Sequence, residues 1–252
     1  MEAPENSGSK SRICQVLNLG MISYSEACEL QRRAVAARKM GAMGDVLLFC
    51  EHPHVITLGR NGRREHLLTS ENTLRQMGVE FHATDRGGDI TYHGPGQLVG
   101  YPILDLAAIR RDVGWYVRQL EEAMIRAARV FGVVGMREKC KTGVWVSAPE
   151  GAEKLAAIGV RLSRWVTSHG FAFNVSTDLG YFDLIVPCGI ADRRATSLEK
   201  LLGHGIPMVE ARRAMQSSFG EVFGFSMPET ARKEFDRNLE DAVPAMPVLA
   251  TV

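Results

Sequence analysis

The stretch KLAAIGVRLSRWVTSHGFAFNVS, residues 154–176, decides the fold class. KLAAIGVRLSRWV and SHGFAFNVS are rich in β-branched and aromatic residues, which predicts two consecutive strands. TGVWVSA, residues 142–148, precedes them as a third predicted strand. Consecutive strands indicate a mixed or largely antiparallel sheet rather than a doubly wound parallel one.

Helices and further strands surround this stretch. YSEACELQRRAVAARKMG, residues 24–41, starts with a capping serine, Ser25, and spaces its apolar residues on one face, which predicts an amphipathic helix. Helical spacing also marks residues 113–132, and residues 207–225 carry Pro207 in the first turn of a predicted helix. The other predicted elements are strands in DVLLFCEHP, HVITLGR, VEFHATD and RGGDITYHGPGQLVGYPILDL and a short helix near TLRQMG.

Length and composition fit one α/β (α+β) domain in which helices flank the mixed sheet. The chain has 252 residues, 45% of them hydrophobic, enough to bury a large core. We expect a flexible N-terminus over residues 1–12, a folded domain over 13–226 and a peripheral C-terminal tail over 227–252. The net charge of +1 argues against a nucleic-acid polycation, so any basic patch is local.

Cysteine usage indicates the compartment. The five cysteines are odd in number and form no CxxC pair, which argues against a disulfide framework and a cysteine-built zinc site. No apolar run approaches the roughly 20 residues that cross a bilayer, and MEAPENSGSKSR has no apolar signal core. We therefore expect a cytoplasmic protein with free thiols.

Several glycines and histidines have ordinary structural explanations. HGPGQLVG, residues 93–100, misses the dinucleotide pattern GxGxxG by one residue and precedes no clear helix, so we reject a Rossmann site. His52 and His54 have no third metal ligand nearby, which favours a structural role. His93 and His169 each stand beside glycines, where a core hydrogen bond is the commoner role.

Cys188 is the better candidate nucleophile among the cysteines. It lies in IVPCGIADR, residues 185–193, between a stiffening proline and an open glycine. A thiol with a pKa of about 8.5 is mostly protonated at neutral pH, so a nucleophile needs a partner that holds the thiolate. Lys154 opens an almost uncharged strand, where an anionic partner would offset its desolvation. Without such a partner, an inert buried cysteine is the default interpretation.

Two long runs resemble the lipoyl (octanoyl) transferase family. They are RGGDITYHGPGQLVGYPILDL and KLAAIGVRLSRWVTSHGFAFNVSTDLGYFDLIVPCGIADRRATSL, and EHPHVITLGR and TGVWV extend the likeness over roughly residues 45–200. The resemblance implies the fold shared by biotin and lipoate protein ligases. It also implies an octanoyltransferase that moves an octanoyl group from acyl carrier protein to a lysine of lipoyl domains, the first step of endogenous lipoylation.

The resemblance assigns roles to residues of this sequence. Cys188 would carry the acyl thioester and Lys154 would be its partner. Three segments would bind the acyl substrate: Arg86, Gly87, Gly88, Asp89, Ile90, Thr91, Tyr92 and His93; Ala157, Ile158 and Gly159; and Gly170, Phe171 and Ala172.

The implied chemistry agrees with the residue types. Transfer between thioesters is nearly thermoneutral and transfer to an amide is downhill, so we expect no ATP, cofactor or metal. As an ammonium Lys154 would stabilise the thiolate, and as an amine it would take the proton of the incoming lysine. Backbone amides near Gly189 or in the RGG turn are candidate oxyanion donors, each worth about 3 kcal/mol. His93 is a candidate to cap the acyl pocket or orient the carbonyl.

The expected partners are octanoyl-acyl carrier protein as donor, and lipoyl domains of 2-oxo-acid dehydrogenase complexes and glycine cleavage H protein as acceptors. Arg60, Arg63 and Arg64 in GRNGRR form a candidate docking loop for an acidic carrier. No nucleic acid or membrane partner is expected. Two alternatives stay open: an ATP-dependent lipoate or biotin ligase on the same fold, and a non-catalytic module that only holds acyl carriers.

Overall fold

The structure, a computed structural model, describes residues 11–186 and 194–242. Its strands are β1 Arg12–Met21, β2 Asp45–Glu51, β3 Val55–Leu58, β4 Glu80–Ala83, β5 Ile90–His93, β6 Gln97–Ile103, β7 Met136–Glu138, β8 Lys141–Val146, β9 Glu153–Ser163, β10 Val166–Asn174 and β11 Phe225–Ser226. Its α-helices are α1 Tyr24–Lys39, α2 Glu71–Gln76, α3 Leu106–Ile109, α4 Val113–Val130, α5 Leu198–Leu202, α6 Met208–Phe223 and α7 Arg232–Ala242. Arg64–His66 and Leu179–Leu184 are 3-10 helices.

Eight strands form one sheet in the order β11-β1-β2-β6-β10-β9-β8-β7. β1 runs parallel to β11 and β2, and the other neighbours are antiparallel. A second sheet has the order β4-β3-β5. The predicted mixed, largely antiparallel sheet with flanking helices is therefore confirmed, and the separate small sheet is an addition to it.

The large sheet is covered on both faces. In β2, Leu47 and Phe49 pack into the core beneath α4 and α6, whereas Val46 and Leu48 pack beneath α1. Burial on both faces explains why DVLLFC is continuously apolar and does not alternate with polar residues. None of the described helices is long and apolar enough to cross a membrane.

The stretch 154–176 forms a hairpin whose turn lies inside one predicted strand. β9 ends at Ser163 and β10 begins at Val166, and the intervening Arg164 and Trp165 have φ of 52° and 66°. Two successive positive φ values are typical of the tight turns that match strand twist, where Asn-Gly is the usual sequence. Arg-Trp gives no such signal, so the sequence predicted an unbroken strand over 154–166.

Two helix starts differ from the sequence interpretation. The predicted capping serine, Ser25, lies inside α1, and Ser23 caps the helix instead. The side chain of Ser23 accepts a hydrogen bond from the Glu26 amide while the Glu26 carboxylate accepts one from the Ser23 amide, a reciprocal capping box. Pro207 occupies the cap position of α6, one residue before its first turn.

The segment predicted to be a peripheral tail contains a packed helix. In α7, Phe235 and Leu239 are buried in the core that α1 shares with the large sheet. Phe235 and Leu239, four residues apart, are the only large apolar side chains of this highly charged helix. So weak a periodic signal explains why the sequence alone did not predict this helix.

Candidate active site

A cavity of about 620 Å³ lies between the small sheet and strands β8–β10 of the large one. Its walls include most of the predicted site residues that the structure describes: Lys154, Arg86, Gly87, Gly88, Asp89, Ile90, Thr91, His93, Ala157, Ile158, Gly159, Gly170, Phe171 and Ala172. Three segments that are far apart in sequence thus meet in one place. Cys188 lies outside the described residues.

The RGG turn fastens the small sheet to the large one. The Arg86 guanidinium is buried and donates to the Thr57 carbonyl and hydroxyl, at Nη2–O distances of 2.6 and 2.9 Å. The Gly87 amide donates to the carbonyl of Val160 on β9 at 2.9 Å. Arg86 therefore stabilises this wall of the cavity through hydrogen bonds from its guanidinium to Thr57 and to the Gly87 carbonyl.

Two paired glycines allow the backbones around the cavity to approach closely. Gly159 and Gly170 are cross-strand partners on β9 and β10. A Cβ at Gly170 would lie 2.0 Å from the Gly100 carbonyl oxygen, and one at Gly159 would lie 2.9 Å from that of Gly87. Any side chain at either position would push neighbouring backbone away.

Lys154 lies at the start of β9 and is hydrogen-bonded through its backbone to Arg194 and Thr196. Its amide donates to the carbonyl of Arg194, and its carbonyl accepts from the amide of Thr196, each at 2.9 Å. Arg194 and Ala195, which follow the undescribed residues 187–193, line the cavity, as does Phe182 before them. The described chain on both sides of that segment therefore borders the same cavity as Lys154.

His93 begins a hydrogen-bonded network of neutral groups. Its Nδ1 lies 2.7 Å from Oε1 of Gln97, and Nε2 of Gln97 donates to Oδ1 of Asn174 at 2.9 Å and to the Tyr92 carbonyl at 3.3 Å. Because a carbonyl can only accept, the Gln97 amide is oriented and His93 carries its proton on Nδ1. Burial, with smaller contributions from His52 and Arg86, lowers the pKa of His93 to about 3. His93 is thus neutral at pH 7, and its Nε2 is a hydrogen-bond acceptor.

His169 lines the cavity from a turn-like backbone conformation. It has a φ of 53°, and its Nε2 lies 2.7 Å from Oδ1 of Asp85, which also pairs with Arg161. Burial lowers the pKa of His169, while Asp85 acts in the opposite direction. Burial would raise the pKa of Asp85, but the hydrogen bond and charge of His169, together with Arg161, outweigh it and lower that pKa.

Tyr92 is the described site prediction that the structure does not bring to the cavity. Its ring is fully buried and stacks on Tyr181 with centroids 5.0 Å apart, and its hydroxyl lies 2.7 Å from Nδ1 of His54. Ile90, Thr91 and His93 of β5 line the cavity, whereas the Tyr92 ring packs behind it in a cluster with Tyr181 and Phe182. Tyr92 thus holds the 3-10 helix that leads toward residues 187–193.

The cavity residues that the sequence analysis did not identify include Gln97, Trp145 and Asn174. Gln97 and Asn174 are buried polar residues next to the apolar runs LVGYPI and GFAF, and that contrast was the available signal, because a buried amide requires partners. Trp145 gave no signal, since an aromatic residue in GVWV is equally expected in a core.

The predicted arginine loop lies beside the cavity. Arg60, Arg63 and Arg64 are exposed, and Asn61, within the same loop, lines the cavity. The loop is attached to the RGG turn by the hydrogen bond from the Asn61 amide to the Gly88 carbonyl at 3.2 Å. A molecule bound on this loop would therefore lie next to the part of the cavity wall that Asn61 forms.

Known proteins resemble this chain over most of its length. The family model of the lipoyl protein ligase A/B catalytic domain matches residues 23–220. The octanoyltransferase of Solibacter usitatus is 52% identical over 216 residues, covering 86% of this chain and 96% of its own. The octanoyltransferase of Acidobacterium capsulatum is 50% identical over 224 residues, covering 84% and 91%.

Solved structures share the fold at low identity. A bipartite lipoate protein ligase from Thermoplasma acidophilum superposes with a TM-score of 0.70 at 16% identity, covering 91% of each chain. The biotin protein ligase from Aquifex aeolicus reaches 0.51 at 14% identity, covering 90% of this chain and 74% of that one. These similarities establish the fold that the sequence runs implied.

Proposed function

The chain belongs to the lipoyl protein ligase A/B catalytic domain family, among its octanoyltransferases, and we propose that Cys188 and Lys154 carry out its reaction. It is an acyltransferase that acts in protein lipoylation, with lipoyl-domain proteins as acceptors. The donor in our proposal is octanoyl-acyl carrier protein. The specific acceptors would be lipoyl domains of 2-oxo-acid dehydrogenase complexes and glycine cleavage H protein, in the cytoplasm.

One observation carries the assignment of Lys154. Its side chain lines the same cavity as all but one of the described residues predicted to bind the acyl group. The residues that flank segment 187–193, Phe182 before it and Arg194 after it, line this cavity too. That arrangement supports a reaction in which Cys188 and Lys154 act on one substrate.

The reaction takes place in two balanced steps. The Cys188 thiolate attacks the carbonyl carbon of the donor thioester, and the carrier thiolate leaves and takes a proton from the Lys154 ammonium. The amine of the acceptor lysine then attacks the enzyme thioester, Lys154 accepts its proton, and the Cys188 thiolate leaves. Lys154 returns to the ammonium form and no other reactant is required.

The cavity suits a medium-length acyl chain. Its volume lies within the range of about 300–1,000 Å³ that is typical of small-ligand sites. Apolar side chains such as Val99, Ile158 and Phe171 line it, and each buried methylene contributes about 0.8 kcal/mol. The glycine pair of β9 and β10 lets the backbone segments that form these walls approach one another.

A transfer assay tests the dyad. Octanoyl transfer from octanoyl-acyl carrier protein to a lipoyl domain, without ATP, is measured for wild type, Cys188→Ala and Lys154→Ala. Either substitution is expected to lower kcat by roughly 10³-fold or more, because the nucleophile or its proton partner is lost. Cys28→Ser, a change at a partly buried thiol that does not line the cavity, is the matched control.

Other outcomes of this assay would overturn the proposal. In a parallel reaction supplied with ATP and free octanoate in place of the carrier, full transfer by Cys188→Ala would favour a ligase mechanism, which rests here only on distant fold similarity. Carrier binding without turnover by the wild type would favour a module that only holds acyl carriers.

A further inference from the structure

Trp145 forms the surface against which the Lys154 side chain lies. The two residues are cross-strand partners on β8 and β9, and both line the cavity. Nζ of Lys154 lies 4.6 Å from the centroid of the Trp145 ring, within the roughly 6 Å over which an aromatic face attracts a cation. Because the indole is only 1% exposed, little water weakens this attraction.

The indole at this position is not explained by packing alone. Its Nε1 is buried and has no hydrogen-bond partner among the described residues, which is an unfavourable arrangement for an N–H group. A phenyl ring would fill most of the same space without burying a donor. The property that the indole adds is its face, which binds a cation more strongly than a phenyl or phenol ring does.

A second lysine contacts the same ring less closely. Nζ of Lys141 lies 5.5 Å from the centroid, and Nζ to Oε1 of Glu138 is 3.8 Å. Lys154 is the nearer of the two and the one whose backbone is fixed on both sides, by Trp145 across the sheet and by Arg194 and Thr196. The strands therefore determine where the Lys154 side chain begins, and the indole limits where its flexible end can lie.

We propose that Trp145 is a positioning residue, which holds the Lys154 ammonium in the cavity through the electron-rich face of its indole. This inference rests on the proposed function, in which Lys154 exchanges protons with the reacting groups. A lysine side chain has four rotatable bonds, so fixing its end before the reaction raises the fraction of molecules that are ready to react. The effect belongs to kcat and not to the binding of the donor.

The experiment compares Trp145→Leu and Trp145→Phe with wild type in the transfer assay. Trp145→Leu, which removes the aromatic face, is expected to lower kcat about tenfold and to leave KM for octanoyl-acyl carrier protein within about twofold. Trp145→Phe is expected to restore kcat to within about threefold of wild type. Trp115→Leu is the matched control, because that ring has its own cation contact, with Arg110, but does not line the cavity.

Fluorination of the indole separates its attraction for the Lys154 ammonium from its packing. This test remains valid even if Trp145→Leu fails to fold. Fluorinated tryptophans incorporated at position 145 keep the shape of the ring and withdraw electron density from its face. We expect kcat to fall stepwise with the number of fluorines while Tm stays constant. Unchanged kcat across the series, or losses that only follow Tm, would overturn the inference.

Lys154→Ala, measured in parallel, distinguishes failure of the proposed function from failure of the inference about Trp145. Full activity of Lys154→Ala would contradict the proposed function itself. Loss of activity in Lys154→Ala, with wild-type kcat throughout the fluorinated series, would reject only the role of Trp145.

Discussion

Lys154 and His93 line the same cavity but have different electrostatic surroundings. Lys154 faces an aromatic ring, which favours a cation, whereas His93 is buried in a network of neutral amides. The cavity thus combines basic side chains, Lys154 among them, with a neutral acceptor. His93 can close the site, but its only proton donor, on Nδ1, is already bonded to Gln97. This favours the capping role over orientation of the substrate carbonyl.

His93 also predicts how stability depends on pH. Its pKa is about 3 in the folded protein and about 6.5 when unfolded, so between these values the unfolded chain binds more protons. The free energy of unfolding should therefore fall as pH decreases through this window, by up to about 1.4 kcal/mol per pH unit from His93 alone. Burial lowers the pKa values of His52 and His169 as well, which adds to the same trend.

Urea unfolding between about pH 7 and about pH 4.5 measures this slope. His93→Gln should show a shallower slope than wild type, whatever its stability at pH 7. The control is His204→Gln, a change at an exposed histidine. Equal slopes for His93→Gln and wild type would contradict the assignment of a buried neutral His93.

At the scale of elements, α4 and β8 are joined by a buried carboxylate. Glu121 of α4 is fully buried and accepts hydrogen bonds from the Gly143 amide of β8 at 3.1 Å, from Arg118 at 2.7 Å and from Arg137 at 3.2 Å. Gly143 stands two residues before Trp145 on the strand that borders Lys154. The helix thereby fixes the strand that carries the indole.

Glu121→Gln is expected to lower the free energy of unfolding by about 2 kcal/mol, because a neutral amide cannot replace all three charge-assisted hydrogen bonds. Urea denaturation at neutral pH measures the change. Glu122→Gln is the neighbouring control, since that carboxylate is partly exposed and its loss should cost less than about 1 kcal/mol. Equal effects of the two substitutions would show that Glu121 does not anchor β8.

The sequence predicted elements well where local signals were strong. Three consecutive strands in residues 142–176 indicated the mixed sheet, and the glycine-rich segments indicated the cavity walls. The β9–β10 turn was missed because Arg164 and Trp165 adopt φ values that those residues rarely adopt. The cap of α1 was misplaced because two serines stand near its start, and only the three-residue spacing to Glu26 singles out Ser23. Tyr92 packs behind the cavity because its ring stacks with His54 and Tyr181, contacts between distant parts of the chain that the sequence did not reveal.

At the scale of the whole molecule, the protein is almost neutral, but positive charge is concentrated in one loop. The net charge is +1, yet three exposed arginines stand together in the loop beside the cavity. Arg63 lies 3.3 Å from Glu65, and Arg64 pairs with Glu71, so these contacts offset part of the positive charge. Arg60 completes the patch that we propose as the docking site of an acidic carrier.

Reversal of charge tests this docking patch. The double variant Arg63→Glu, Arg64→Glu is expected to raise KM for octanoyl-acyl carrier protein about tenfold at low salt, with kcat little changed and the difference reduced by added salt. Lys233→Glu with Arg237→Glu, on α7, makes the same change in net charge at exposed residues that do not line the cavity. An unchanged KM in the arginine variant at low salt would reject the loop as a docking site.

The most direct test of the central claim is intact-protein mass spectrometry after incubation with octanoyl-acyl carrier protein in the absence of an acceptor. We predict that wild type gains the mass of one octanoyl group, that peptide mapping locates it on Cys188, and that Cys188→Ala gains none. The account would be contradicted if wild type, active in the transfer assay, acquired no octanoyl group in this incubation. It would also be contradicted if the group were found on another residue such as Cys140.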